Sequence, residues 1–435
     1  MRRTVVTMVA LLLAGLLAGC GPASGAIPIS SGPSPQNSVP APSVVLGGLH
    51  EPVAAIPGIF AAAGSTDAEP APTTDLAPNA ASAVLMDASS GQVLWAKNAN
   101  AKRPAASVTK LMTMAVVMDS ITSGRVRWND LVSASEQAVR TGGSQIWLEL
   151  GETMTVRDLF YAVAVQSAND AAVALSEYVG GTLEHFLAMM NAKAQQLGMR
   201  DTVYTDPNGL DDTTQYSSAY DIALLSRYIV TEQPAVLQYT ATWEHRLRGN
   251  KLWLVNRNKL LTRLPGVDGL KTGFTTQAGY CLAATARRGN TRLIAVVLGD
   301  TSSDARFADT AAMLQWGFSN YATVPVADAV RPTATLPVDG GHTGQVQVIP
   351  SRSFGVTVPR GQEKTVTTKV TLPTVVTAPL RAGQQVGQIT AYVNGRAVAE
   401  VPLVARGAVL RLGPVRLWVR LWGRLWPWLR PAARA

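Results

Sequence analysis

Three short stretches of the chain hold residue types that can perform nucleophilic chemistry together. Ser107-Val108-Thr109-Lys110 opens the run SVTKLMTMAVVMDSI, whose apolar content predicts a buried helix. Spacing i, i+3 puts the hydroxyl and the amine on one face, one turn apart. A serine hydroxyl is a poor nucleophile until a base takes its proton. A lysine can be that base if burial or a neighbouring cation lowers its pKa. The helix start also favours a developing oxyanion. Ser167-Ala168-Asn169 sits within AVAVQSANDAAVAL, where two polar side chains need partners or a task. Ser167 can relay a proton to a leaving amine, and Asn169 can hold Lys110 and a substrate backbone. Lys271-Thr272-Gly273 lies on a predicted strand over 269–274. A strand edge can pair with an extended peptide, and Gly273 carries no side chain to block that approach. Lys271 and Thr272 offer a cation and a hydroxyl to a carboxylate, and the Lys271 charge would favour a neutral Lys110.

Other chemistries are disfavoured. The four histidines are scattered, with no i, i+4 pair, and Cys20 and Cys281 are the only cysteines. A disulfide framework or a zinc site is therefore not expected, nor is any other metal or cofactor. The net charge is +9, yet Arg2, Arg3 and seven arginines in the last 30 residues account for all of it. The remainder has 29 basic and 29 acidic residues. The charge belongs to two ends of the sequence and not to a nucleic-acid-binding face.

The elements that must position these motifs follow from periodicity. Strands are expected at 83–86 and 92–96 around an Asp-Ala-Ser-Ser-Gly turn. Helices are expected from Ser107 and over 156–178, 183–197 and 219–230. Strands return at 269–274, 280–286 and 292–298, with a hairpin turn at Arg287-Arg288-Gly289-Asn290. A helix over 305–321 closes the unit. Strands, then helices, then strands imply an α/β (α+β) fold, an antiparallel sheet with a helical insertion. Residues 326–405 alternate Val and Thr with polar residues and contain Gly340-Gly341 and Asn394-Gly395 turns. They predict a small all-β sandwich with no catalytic residues.

Each motif alone is weak. In this order, about 60 and then about 100 residues apart in helix, helix and strand contexts, they are specific together. The chain resembles the low-molecular-mass penicillin-binding proteins, serine-type D-alanyl-D-alanine carboxypeptidases of the penicillin-binding protein 5 kind. The resemblance covers roughly 75–405 through RPAASVTKLMT, VQSANDAA, TDPNGLDD, YSSAYDIALL, VNRNKLL and GVDGLKTGFTTQAGY. It implies a β-lactamase/transpeptidase-like catalytic domain over 76–324 and a C-terminal β domain over 325–405. It implies an acyl-enzyme on Ser107, with Lys110 as proton acceptor, Ser167 as proton shuttle and Lys271 as substrate ligand. The oxyanion hole would be the N–H groups of Ser107 and Phe274, and Arg257 would sit near the substrate carboxylate. The implied substrate is a peptidoglycan stem peptide ending in D-alanine, with β-lactam antibiotics as covalent inhibitors. Phe274 stands where some members have His, which implies altered substrate contacts. A class A β-lactamase shares the first and third motifs but usually carries Ser-Asp-Asn as the second. A wall-binding scaffold with a dead site is the non-enzymatic alternative.

The two ends point to a membrane. Residues 1–20, MRRTVVTMVALLLAGLLAGC, combine a basic start, a short apolar run and a Leu17-Ala18-Gly19-Cys20 ending similar to a bacterial lipobox. Cys20 is the expected lipidation site. Residues 21–75 form a spacer rich in Pro, Ala and Ser. At the other end, over 406–435, Arg416, Arg420 and Arg424 form one helical stripe, with Leu and Trp stripes beside it. Pro427 and Pro431 stop that pattern within about three turns, which is too short to cross a bilayer and suits an interfacial anchor. The domain is thus expected outside the cytoplasmic membrane, on its outer face. Fatty-acid labelling should mark the wild type and not Cys20→Ser, and truncation after Ala405 should loosen membrane binding. An unlabelled wild type would refute lipidation, and unchanged binding on truncation would refute the anchor.

Overall fold

A computed structural model of the chain describes residues 74–210 and 213–413. Its centre is a five-stranded sheet in the order Val93–Lys97, Ser82–Asp87, Thr291–Asp300, Gly279–Arg288, Val267–Thr275, with every neighbour antiparallel. Period-2 alternation splits it into two cores. Val84, Met86, Ile294, Val296 and Leu298 face the helical insertion. Ala83, Leu85, Leu293, Ala295 and Val297 face the closing helix Ser303–Asn320, against Phe307, Met313, Leu314 and Phe318. Both faces are covered, which is why all six residues of Ser82–Asp87 are buried. The Gly289-Asn290 turn joins its two strands as the sequence suggests.

The insertion follows the second strand. It begins with a 3₁₀ turn, Ala106–Thr109, that passes into the helix Lys110–Thr122. The single helix expected over 156–178 is instead three pieces. Val156–Tyr161 is α-helical, Ala162–Gln166 is a π turn, Ser167 is left-handed at φ 66°, and Asn169–Gly180 starts a new helix. All of these residues fit a helical apolar pattern, so periodicity could not show the break. A hairpin, Glu244–Leu247 with Leu252–Val255, and a short pair, Leu131–Ser133 with Thr153–Thr155, were not evident from the sequence either.

Among the described residues beyond Asn320 the chain is β apart from one 3₁₀ turn, Glu363–Thr365. Tyr321–Ala327 pairs with Phe354–Pro359, and a six-stranded sheet accompanies them. Its hairpin turn uses Asn394 (φ 51°) and Gly395 (φ 77°), the two positive φ values that Asn-Gly suits. Ser89, on the first turn of the catalytic sheet, accepts from Gly355 N (2.7 Å) and donates to Gly355 O (3.0 Å), tying the two parts together.

Among the described residues no helix is long and apolar enough to cross a membrane. Gly317 lets the closing helix lie against the sheet: a Cβ there would meet Leu293 Cδ1 at 2.6 Å and Leu85 Cδ2 at 3.0 Å. Gly317→Val should destabilise by about 1–3 kcal/mol through overpacking, read as a lowered midpoint in urea unfolding.

Candidate active site

Lys110 is fully buried, while Ser107 is half-buried. In a 3₁₀ turn side chains three apart eclipse, and Lys110 Nζ donates to Ser107 Oγ at 3.1 Å. Its second acceptor is the carbonyl of Asn208 at 2.6 Å. No carboxylate lies within ion-pairing distance of Nζ among the described residues. Burial is the chief cause that brings the Lys110 pKa down to about 7, against the pull of Asp206 and Asp170. Half of such amines are neutral near pH 7, the state a general base needs.

Two non-glycine residues here adopt left-handed backbone. Ala106, at φ 48°, sets up the turn that presents Ser107. Ser167, at φ 66°, ends the π turn with a buried hydroxyl that finds no partner. Such conformations cost energy and persist where surrounding structure enforces them. Asn169 Nδ2 donates to Gly142 O at 2.6 Å and Asn169 N to Ser144 O at 2.7 Å, which leaves Oδ1 buried and unpartnered. The Asn169 amide thus anchors the 141–150 loop, and Lys110 takes its hydrogen bonds elsewhere. The Ser167 hydroxyl and Asn169 Oδ1 thus lie buried with no hydrogen-bond partner from the described residues.

The strand Val267–Thr275 runs beside the nucleophile turn. A Cβ on Gly273 would lie 2.9 Å from Ala105 O and 3.1 Å from Ser107 N, so only glycine permits the approach. Lys271 and Thr272 are buried and Phe274 is 53% exposed, its ring packed on Tyr280 at 4.4 Å. Lys271 Nζ donates to Thr272 O at 3.0 Å. Burial, then Lys110, then Arg306 and Arg257 push its pKa well below the usual lysine range. Arg257 is exposed on a loop fixed by its neighbours: Asn256 Nδ2 donates to Thr240 O and Thr242 O, and Asn258 Nδ2 to Gly269 O.

Sequence reading missed several groups at the site. Arg306, from the closing helix, is buried and donates to Gly273 O at 2.8 Å, behind the motif strand. Asp170 accepts from Ile146 N, Leu148 N and Ala171 N and so shapes the loop that Asn169 also holds. Asp170 follows the second motif directly, and Asp206 and Asn208 lie in TDPNGLDD, so proximity to quoted motifs was the available signal. Arg306 had none, because its reach across the sheet is a tertiary fact. Among the described residues there is no group of three His, Cys, Asp or Glu that could hold a metal.

This geometry places a serine hydroxyl beside a fully buried lysine, with a second buried lysine on the adjacent strand, an arrangement whose chemistry suits serine acyl transfer. Comparison with known proteins agrees. The D-alanyl-D-alanine carboxypeptidase family matches residues 67–302, and the C-terminal domain of penicillin-binding protein 5 matches 321–411. The D-alanyl-D-alanine carboxypeptidase DacF of Bacillus subtilis is 38% identical over 345 residues, 78% of this chain and 88% of that protein. Penicillin-binding protein 5 of Haemophilus influenzae superposes with a TM-score of 0.62 at 34% identity, covering 77% of this chain and 98% of that one. Penicillin-binding protein D2 of Listeria monocytogenes, in its ampicillin-bound form, gives 0.51 at 33% identity, covering 55% and 97%. The chain belongs to the serine-type D-alanyl-D-alanine carboxypeptidase family, with the β-rich C-terminal domain of penicillin-binding protein 5.

Gly209 sits at φ 78°, and a Cβ there would overlap the carbonyl oxygen of Ala106. Gly209→Ala must displace either the Asn208 loop or the nucleophile turn. It should lower the acylation rate at least about tenfold, a loss of roughly 1.4 kcal/mol in transition-state stabilisation, measured with a fluorescent penicillin. Gly249→Ala, at φ 62° with open space around it, is the control and should cost only local strain.

Proposed function

We propose that Ser107 is the nucleophile of this carboxypeptidase and Lys110 its base. Lys110 Nζ takes the Ser107 proton as Oγ attacks the carbonyl carbon of the penultimate D-alanine. The N–H groups of Ser107 and Phe274 receive the oxyanion. Ser167 passes a proton to the leaving D-alanine nitrogen as the C–N bond breaks, leaving an ester on Ser107. Water then attacks that ester, its proton passing to Lys110 and from there to Ser107 Oγ as the acyl C–O bond breaks. Asn169 Oδ1, Thr272 and Gly273 hold the substrate backbone, while Lys271 and Arg257 bind its terminal carboxylate. The observation that carries this reading is the 3.1 Å contact between Ser107 Oγ and the Nζ of a fully buried Lys110.

The substrate is a peptidoglycan stem pentapeptide. A β-lactam presents a strained amide in place of the terminal peptide bond, and the ampicillin- and cefotaxime-bound relatives from Listeria support its covalent capture on Ser107. The domain plan is a signal over 1–20, a spacer over 21–75, the peptidase over 76–324, the β domain over 325–405 and an anchor over 406–435. The protein works on the outer face of the cytoplasmic membrane, tethered through Cys20 and the tail. The signal, Cys20, nearly all of the spacer and residues 414–435 lie outside the described residues.

Incubation with a diacetyl-Lys-D-Ala-D-Ala peptide should release D-alanine, and penicillin should block it. Ser107→Ala should lose at least about 10³-fold in kcat/KM, and unchanged release would refute the assignment. Lys110 is active when neutral, so kcat/KM should fall as pH drops through about 7. A penicilloyl adduct that turns over within seconds would indicate a β-lactamase instead.

A further inference from the structure

The Asn208 carbonyl holds Lys110 Nζ, yet Asn208 lies in a stretch without helix or strand. Its placement depends on Asp206. Asp206 Oδ1 accepts from Asn208 N and Gly209 N, each at 2.5 Å. Oδ2 accepts from Gln215 Nε2 at 3.0 Å. The Gln215 oxygen in turn accepts from Thr205 N (2.8 Å) and Asp206 N (2.9 Å). Gln215 Nε2 also reaches Thr109 Oγ1 at 3.4 Å, and Thr113 Oγ1 donates to Pro207 O at 2.7 Å. The loop is thereby bolted to the same turn and helix that carry Ser107 and Lys110.

We propose that Asp206 is a positioning residue: as a carboxylate it fixes the Asn208 carbonyl on Lys110 and sets the proton affinity of that amine. The inference rests on Lys110 acting as the base. The groups that face the amine are the Ser107 hydroxyl from the nucleophile turn, Asp206 and the Asn208 carbonyl from the loop, Asp170 from the helix Asn169–Gly180, and Lys271 from the motif strand. Asp206 and Asp170 favour protonation of Lys110, Asp206 more strongly, and Lys110 in turn lowers the pKa of Lys271. Burial alone would make the amine too weak a base, and a direct ion pair would hold it protonated. Asp206 sits between these limits because its own N–H donors keep it on the loop while its charge still acts on Nζ. Burial pushes the Asp206 carboxyl upward, and the donors at Gly209 and Asn208, with Lys110, oppose that push.

The test is the pH dependence of acylation of the full chain by a fluorescent penicillin. Asp206→Asn keeps the size and an acceptor oxygen but removes the charge. Its half-maximal rate should occur at a proton concentration at least about threefold higher than in wild type, that is, at lower pH, with a lower plateau. Thr113→Val removes a tether without changing charge and should lower the plateau with the half-maximal pH unmoved. If circular dichroism shows Asp206→Asn unfolded, Asp206→Ser is judged by the same criterion. A half-maximal pH that stays put or rises in the Asp206 variant overturns the proposal, as does an equal shift in Thr113→Val. Lys110→Ala separates the failures. Wild-type acylation by that variant would remove the base assignment itself. An inert Lys110→Ala with an unshifted Asp206→Asn would remove only the role of Asp206.

Discussion

The structure depends on one amine buried without a carboxylate within ion-pairing distance among the described residues. A lysine prefers water as an ammonium, and placing that charge in an apolar interior costs several kcal/mol. The fold escapes this cost by releasing the proton. Burial brings the Lys110 pKa from 10.5 down to about 7, so the neutral amine becomes accessible near neutral pH. A surface pair such as Glu136–Arg140 could be lost with little consequence. The Lys110 environment could not, because water or a close carboxylate would restore the charge. The apolar helix Lys110–Thr122, the Asn208 loop and the motif strand are arranged to exclude both.

The backbone irregularities serve that arrangement. Regular helices project side chains at fixed angles, so three motifs on three elements would meet only by accident. The left-handed residues Ala106 and Ser167 and the π turn Ala162–Gln166 break the regularity where the chemistry is. Glycine supplies the remaining tolerance: Gly273 lets the motif strand touch the nucleophile turn, and Gly209 lets the Asn208 loop cross Ala106. These close approaches gather Ser107 N, Gly273 and Asn208 O about the turn that carries Ser107.

Much of this was legible in the sequence, for physical reasons that also mark where it stops. The strands of the central sheet read as short continuous apolar runs because each face packs on a different core. The Asn394-Gly395 and Gly289-Asn290 turns advertise themselves through residues that accept positive φ. The helix over 156–178 reads as continuous because apolar residues dominate on both sides of Ser167, so helical periodicity alone does not mark the break there. The site residues showed up where polar groups interrupt apolar runs, as at Ser167 and Asn169. Arg306 and Gln215 did not, since their significance lies in partners 33 and 106 residues away.

The cations explain why such a site would remove a terminal residue. Lys271 and Arg306 are buried close enough to oppose one another, and Arg257 adds to the repulsion from the surface. No carboxylate forms an ion pair with any of the three among the described residues. Arg306 Nε is moreover buried without a partner. Two guanidinium groups beside a Lys271 amine that is held back from protonation are stabilised most by an arriving anion. An internal peptide bond brings no such anion, whereas a C-terminal carboxylate does. On the proposed assignment, the carboxylate that secures binding also restores the Lys271 proton. The negative charge then arriving beside Lys110 is already compensated, so the base stays free to deprotonate Ser107. Selection of a chain end and protection of the neutral base follow from the same unbalanced charge.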